Sequence, residues 1–333
     1  MQKKAALPAQ IEDRQASLPR QLVRLLKSNP MPLVMVIIAV FFSLAAPRFL
    51  SVENFLTIAN NAAVGGILAL GMTFVLILGG VDLSVGSTVT LTTVVLGLLL
   101  VKAPTPVDPW LALPLALLTG GLVGLTNGLL IVRAKVPPII VTLGTLYIVQ
   151  SIASFATQGA IISLSGIEVL RFIGQGFIGP IQMPVILLFI LTVICAILLN
   201  RTVFGTIVRA IGGNRNATTL MGIDVAFYQV VVYVLCGLLA SAGGLIVAGR
   251  LSMGSAQAGL GLELTAIAAS VLGGTSLSGG EGSIVGTLFG ALMLSMIFNG
   301  LILLRVPFFF QLVITGLILV FAISLNNFVR KQA

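Results

Sequence analysis

The chain has 333 residues, of which 58% are hydrophobic and only 8% charged, against roughly 25% charged in a typical soluble domain. A mean hydropathy of +1.16 leaves no room for a sizeable water-soluble domain. The net charge of +9 does not describe a nucleic-acid surface, because the Lys and Arg residues stand at the ends of apolar runs, where anionic lipid and topology account for them.

Residues 1–30 are polar and basic, with Lys3, Lys4, Arg14, Arg20, Arg24 and Lys27. No early apolar stretch with a small-residue cleavage site reads as a signal peptide, so this segment is expected to be a cytoplasmic tail. A bilayer core takes about 20 apolar residues per helix, with about 17 as the lower limit. Runs of that order lie at 31–46, 62–78, 85–101, 110–132, 139–157, 183–199, 227–248, 284–304 and 308–325. A further run, 264–272, is too short to cross alone. It spans if it extends through Gly261, or if Glu263 and Thr265 sit in a polar cavity.

Charge decides the count. With the N-terminus inside and ten alternating spans, thirteen of the 18 basic residues fall on the cytoplasmic side, as the positive-inside bias requires. Nine spans would throw Arg330 and Lys331 outside. The expected fold is therefore an all-α integral membrane protein of about ten transmembrane helices, some broken or short, with both termini cytoplasmic. Residues 31–327 form the transmembrane domain, with a cytoplasmic loop at 200–227 and a short tail at 328–333.

Two glycine-rich breaks interrupt the apolar pattern, at 77–87 and 271–287. Pairing Leu78-Gly79-Gly80-Val81-Asp82-Leu83-Ser84-Val85-Gly86 with Leu272-Gly273-Gly274-Thr275-Ser276-Leu277-Ser278-Gly279-Gly280 matches six of nine positions. Non-helical backbone survives in a membrane only where protein or water satisfies it, so two such breaks point to a passage between helices. On the ten-span topology both face the cytoplasm, whereas an inverted five-span repeat would place them on opposite faces. Duplication and convergence both remain open.

In the loop 200–227, Phe204, Ile207, Val208 and Ile211 recur at helical spacing among Arg201, Arg209 and Arg215. Gly212-Gly213-Asn214 reads as a helix stop, since Gly and Asn both tolerate the left-handed region. Asn216 is then placed to cap a second short helix through Leu220-Met221, ended by Gly222. Such a pair of amphipathic helices suits either a docking element or a membrane-surface anchor.

Polar residues within or beside the spans are few. Asp82 and Glu263 are expected to cap or brace the helices they precede, or to meet solute or partner. Asn127 and Asn299 are expected to bond between helices or line the pathway. Gly120, Gly121, Gly124 and Gly128, like Gly282, Gly286 and Gly290, have the small-residue spacing of close helix packing. Trp110 suits a membrane interface, and Cys195 and Cys236 fall inside apolar runs as packing residues.

The motifs GGVDLSVGS (79–87), FGTIVRAIGGNRNATTLMGI (204–223) and ELTAIAASVLGGTSLSGGEGSIVGTLFGALML (263–294) closely resemble the ribose-type sugar permeases of bacterial ABC importers. VYVLCGLLASAGGLI (232–246) and FNGLILL (298–304) extend the likeness to 31–327. The resemblance implies a multi-pass subunit of the bacterial inner (plasma) membrane that forms the pathway for a small, ribose-like sugar, paired with a second permease copy as a homodimer.

A separate cytoplasmic ATP-binding subunit and a periplasmic sugar-binding protein would be its partners, alongside membrane lipid and without nucleic acid. The loop carrying Phe204, Gly205, Arg209, Gly212, Gly213, Asn214, Ala217, Leu220 and Gly222 would dock the ATPase. Asp82, Ser84, Asn127, Glu263 and Asn299 are the pathway or gating candidates. Thr218-Thr219 and Glu281 depart from the family's usual residues.

No P-loop, histidine or pair of carboxylates at hydrolase or metal spacing occurs in the chain, so no catalytic residue, metal or cofactor is expected and the chain reads as a non-enzyme. A sugar alcohol, autoinducer-2 or a branched-chain amino acid are alternative solutes. An ion-coupled secondary transporter would favour ionisable groups deep in spans, and only Asp82 and Glu263 come near.

Overall fold

The computed structural model describes residues 31–307 and, beyond them, 309–311, 313, 314, 316, 317 and 320. The two expected tails and part of the run 308–325 lie outside the described residues. The helices are α1 (Met31–Ala45), α2 (Val52–Ile77), α3 (Val85–Gly97, continued by a π turn, Leu98–Lys102), α4 (Pro109–Arg133), α5 (Pro138–Thr157), α6 (Glu168–Gln175), α7 (Met183–Arg201), α8 (Val203–Gly213), α9 (Arg215–Leu220), α10 (Val225–Leu251), α11 (Leu262–Leu272) and α12 (Ile284–Leu303). Two-residue strands β1 (Ile162–Ser163), β2 (Phe177–Ile178), β3 (Ile181–Gln182) and β4 (Met253–Gly254) pair antiparallel as β1 with β4 and β2 with β3.

Among the described residues, seven helices are long and apolar enough to cross a membrane: α2, α3 with its π turn, α4, α5, α7, α10 and α12. The shorter α1 and α11, of 15 and 11 residues, coincide with the first expected span and the short run 264–272. The second span differs from expectation. Its helix begins at Val52, ten residues before the apolar run, with Ser51 capping it by accepting from the Asn54 N–H. At ~1.5 Å per residue, 26 residues reach about 39 Å, so its polar first turns extend past a hydrocarbon core of about 30 Å.

α2 lies at the centre, with almost every residue from Ala62 to Ile77 buried. α10 packs along α4, α2 and α3. The α4–α10 crossing is set by glycine: a Cβ on Gly120 would enter the Gly237 carbonyl, and one on Gly237 would enter that of Gly120. Without a hydrophobic drive between helices in lipid, such close backbone approach supplies the packing attraction.

The short run 264–272 forms the 11-residue helix α11, preceded by a stretch without helix. After Ser252 ends α10 in the left-handed region, β4 pairs with β1 and the chain descends along α3 without helix. The Thr93 hydroxyl meets both the N–H and the carbonyl of Ser255 at 3.3 Å, and Thr90 accepts from the Gly259 N–H at 3.0 Å. Gln150 of α5 donates to the Ala256 carbonyl. Side chains of α3 and α5 thus satisfy backbone that a bilayer could not, and α11 follows.

Candidate functional site

The break after α2 and the break after α11 share one device. Gly79 (φ 86°) ends α2, with the Gly79 N–H on the Leu76 carbonyl and the Gly80 N–H on the Val75 carbonyl, both at 2.9 Å. Gly274 (φ 86°) ends α11 with Gly274 N–H to Val271 at 2.9 Å and Thr275 N–H to Ser270 at 3.0 Å. This paired closure needs a residue at positive φ, which glycine adopts without penalty. Geometry therefore matches Gly79 with Gly274, one position off the sequence pairing of Gly79 with Gly273. Beyond the stop the two breaks diverge: Ser84 occupies the cap position of α3, whereas Ser283, not Ser278, caps α12.

Between the Gly79 stop and α3, Asp82, Ser84 and Asn127 close into one buried network. The Asp82 carboxylate accepts from the Ser84 N–H at 2.9 Å and the Ser84 hydroxyl at 2.6 Å. Asn127 of α4 donates its amide N–H to the Ser84 Oγ at 2.8 Å. Of the two roles expected of it, cap or brace, Asp82 takes the second: it holds the turn from two positions before Ser84, in a loop outside the helical spans. Burial pushes its carboxyl above the ordinary value, against the opposing hydrogen bonds from Ser84, Cys236 and Asn127.

The loop after α7 folds as two short helices, as its periodicity requires. Thr202 caps α8, whose Val208 and Ile211 are buried, and the Phe204 ring sits between Phe74 and Tyr228 at centroid distances of 6.1 and 5.9 Å. The stop falls where expected, α8 ending at Gly213, but it leaves by an extended Asn214 (φ −156°) with no left-handed residue. One expectation fails: Asn214 rather than Asn216 caps α9, accepting from the Ala217 N–H at 2.9 Å. Gly222, at φ 79°, follows α9 as expected.

Gly212 is the contact residue of this loop. The Gly280 N–H donates to the Ile77 carbonyl at 2.8 Å, and a Cβ on Gly212 would enter both groups. A Cβ on Gly279 would stand 3.2 Å from the Gly79 Cα. Three glycine pairs far apart in sequence, 79–80, 212–213 and 279–280, thus meet at one end of the molecule. A Cβ on Gly213 would itself meet open space.

Arg209 is held by the end of α7, donating to the Asn200 side chain at 2.7 Å and the Leu199 carbonyl at 3.3 Å. Outward from the junction stand Ala217, Leu220 (88% exposed) and Met221 (67%). Thr218 turns inward, its hydroxyl on the Asn214 carbonyl.

A cavity of about 310 Å³ opens between α2, α11 and α12. Asn61, Gly65, Thr265, Ser295, Phe298 and Asn299 are among the residues that line it. Beneath it Thr73, Ser270 and Thr287 form a buried hydroxyl cluster, with Thr73–Thr287 at 2.6 Å and Thr73–Ser270 at 3.3 Å. Of the five pathway candidates only Asn299 lines this cavity. Glu263 is in the first turn of α11, not at its cap, with its carboxylate against the Gly86 backbone. Thr265, which the sequence reading set beside Glu263 in a polar cavity, lines this one, whereas Glu263 does not; Ser295 and Phe298 were not singled out in the sequence.

A family model described as the permease component of branched-chain amino acid transport systems matches residues 54–323. The ribose import permease protein RbsC of Bacillus subtilis (strain 168) is 40% identical over 298 residues, covering 89% of this chain and 91% of that protein. RbsC of Escherichia coli (strain K12) is 36% identical over 311 residues, 92% and 95% of the two chains. The L-arabinose ABC transporter permease protein AraH of Azospirillum brasilense is 37% identical over 306 residues, 91% and 89%. No solved structure matches the chain.

Proposed function

This chain belongs to the family of permease components of branched-chain amino acid transport systems, and from that premise we propose that it forms the membrane passage of an ATP-driven ABC importer for a small, ribose-like sugar. The observation that carries the reading is identity of 35–40% to ribose import permeases over about nine-tenths of this chain. Relatives named for L-arabinose and D-allose, at 37% and 34%, keep the solute within monosaccharides.

In this reading the chain hydrolyses nothing. A separate cytoplasmic ATPase docks on the exposed tip of α9, at Ala217, Leu220 and Met221, and its movement passes through α8 and Gly212 into the stops that end α2 and α11. Arg201, Arg209 and Arg215 give that end the positive charge expected of a cytoplasmic face. A binding protein delivers sugar at the opposite end, where β1, β4 and α6 lie, in a bacterial plasma membrane crossed about ten times with both termini inside. A second copy completes the permease. Asp82, Ser84 and Asn127 brace the passage, while Asn299 lines it.

The test is reconstitution in vesicles with the ATPase and binding protein. D-ribose, L-arabinose and D-allose are offered beside L-leucine, the class in the family's description. ATP-dependent sugar uptake that needs all three components supports the reading. Uptake by the permease alone on a proton or sodium gradient, or uptake of leucine and no sugar, overturns it.

A further inference from the structure

We infer that the cavity between α2, α11 and α12 is a binding station for a neutral polyhydroxylated molecule, with the Asn299 carboxamide oxygen as its central acceptor. The inference rests on the sugar-importer reading above and adds where within one protomer the sugar is held.

Size sets the first limit. About 310 Å³ is at the lower end of small-molecule sites, roughly 300–1,000 Å³, and suits one monosaccharide. Chemistry sets the second. The lining holds amides and hydroxyls, from Asn61, Thr265, Ser295 and Asn299, and no acidic or basic side chain. An amino acid would bring an ammonium and a carboxylate into a place with no opposite charge, which a desolvated ion does not tolerate. A sugar brings only hydroxyls, each able to donate and to accept.

Asn299 sharpens the assignment. Its side chain is 6% exposed, and its Oδ1 is buried with no hydrogen-bond partner. Buried acceptors are almost always satisfied, so a donor-bearing guest completes this site. Ser295, also in the lining, already donates its hydroxyl proton to the Ile58 carbonyl at 2.7 Å, so toward a guest it is an acceptor. Phe298 adds an apolar surface for the C–H face of a sugar ring.

Below, the Thr73–Thr287–Ser270 cluster closes the three helices against one another. A bound sugar would rest on that floor, and onward passage requires the cluster to part. Its hydroxyls are the same chemistry as the sugar's, so they can exchange partners with it as it passes.

The experiment uses the assembled importer in vesicles, carrying Thr265→Cys. The native Cys195 and Cys236 are 2% and 1% exposed and stay silent. The probe is methanethiosulfonate ethylammonium, added with D-ribose, L-arabinose, D-allose or L-leucine. The reagent is expected to label Cys at 265, a transported sugar to slow that labelling, and leucine to leave it unchanged. Asn299→Leu should raise the sugar needed for half-protection about tenfold, since one sugar hydroxyl loses its buried acceptor.

Absent labelling, labelling that every sugar leaves unchanged, or equal protection by leucine overturns the assignment, the cavity then holding water or nothing. If Asn299→Leu fails to assemble with the ATPase, protection measured on Thr265→Cys alone decides. Uptake by the unsubstituted importer separates the two failures. Sugar accumulated without protection removes only this site, whereas no sugar accumulated removes the sugar reading with it.

Discussion

Gly212→Ala isolates the glycine junction from everything else in the docking loop. The added methyl would sit 2.9 Å from the Ile77 carbonyl carbon, closer to its oxygen, and against the Gly280 nitrogen that donates to that oxygen. Both neighbours are backbone, so no side-chain rotation relieves the overlap. Either α8 swings away from the ends of α2 and α11, or the Gly280–Ile77 hydrogen bond opens. Overpacking of this kind costs about 1–3 kcal/mol, and a backbone donor left without its acceptor about 1–3 kcal/mol more.

At the low end, about 2 kcal/mol is a factor of roughly thirty in an equilibrium, enough to displace the α9 tip from the position proposed to meet an ATPase. Gly213→Ala is the control one residue away, where nothing lies within 4 Å of the new methyl. Co-purification of the ATPase subunit and ATP-dependent uptake are read for both. Gly212→Ala should lose most of each, and Gly213→Ala should match the unsubstituted chain. Equal loss in the two variants, or none in Gly212→Ala, refutes the junction.

Gly120→Ala should cost about 1–3 kcal/mol in thermal unfolding in detergent by forcing α4 off the Gly237 carbonyl, while Gly144→Ala, with nothing within 4 Å, should leave the midpoint in place. Asp82 is raised from its ordinary 3.8, so the folded protein holds this proton more tightly than the unfolded chain. Stability should therefore fall as pH rises from near 4 through the raised value and then level off, and Asp82→Asn should lack that slope; a parallel pH profile in the variant contradicts the assignment. Leu220→Asp, at an 88% exposed position, should change unfolding by no more than about 0.5 kcal/mol yet sharply reduce ATPase co-purification, and unchanged co-purification would reduce the α8–α9 pair to a surface anchor.

Long apolar runs were legible because one signal governs them. The helices α3, α4, α5 and α7 begin and end within about two residues of the expected runs, apart from the short π turn after α3. The start of α2 was not legible, because Glu53, Asn54, Asn60 and Asn61 read as loop when hydropathy is the guide. A helix capped by Ser51 carries Glu53 and Asn54 in its first turn, while Asn60 accepts from Arg250 and Asn61 lines the cavity, partners that hydropathy does not register. The caps of the docking loop failed for a different reason. Asn214 and Asn216 have the same capping chemistry, and the choice falls to where α8 releases the chain, which its packing on Phe74 and Ile77 determines.

Glycine carries the same ambiguity at the site itself. A glycine in a sequence reports that a side chain is unwelcome, but positive φ and close approach leave the same letter. Gly79 and Gly274 are turns, Gly212 is a contact, and Gly213 is neither. The sequence pairing of the two breaks aligned letters, while the fold aligned hydrogen bonds one residue away. The candidate polar residues divide likewise. Asp82, Ser84 and Asn127 converge because the α3–α4 packing brings a loop to a helix 43 positions later. Asn299 parts from them to face a cavity whose other walls, α2 and α11, are themselves nearly two hundred residues apart in the chain. Residue type marked each as a candidate, and only long-range packing separates a brace from a lining.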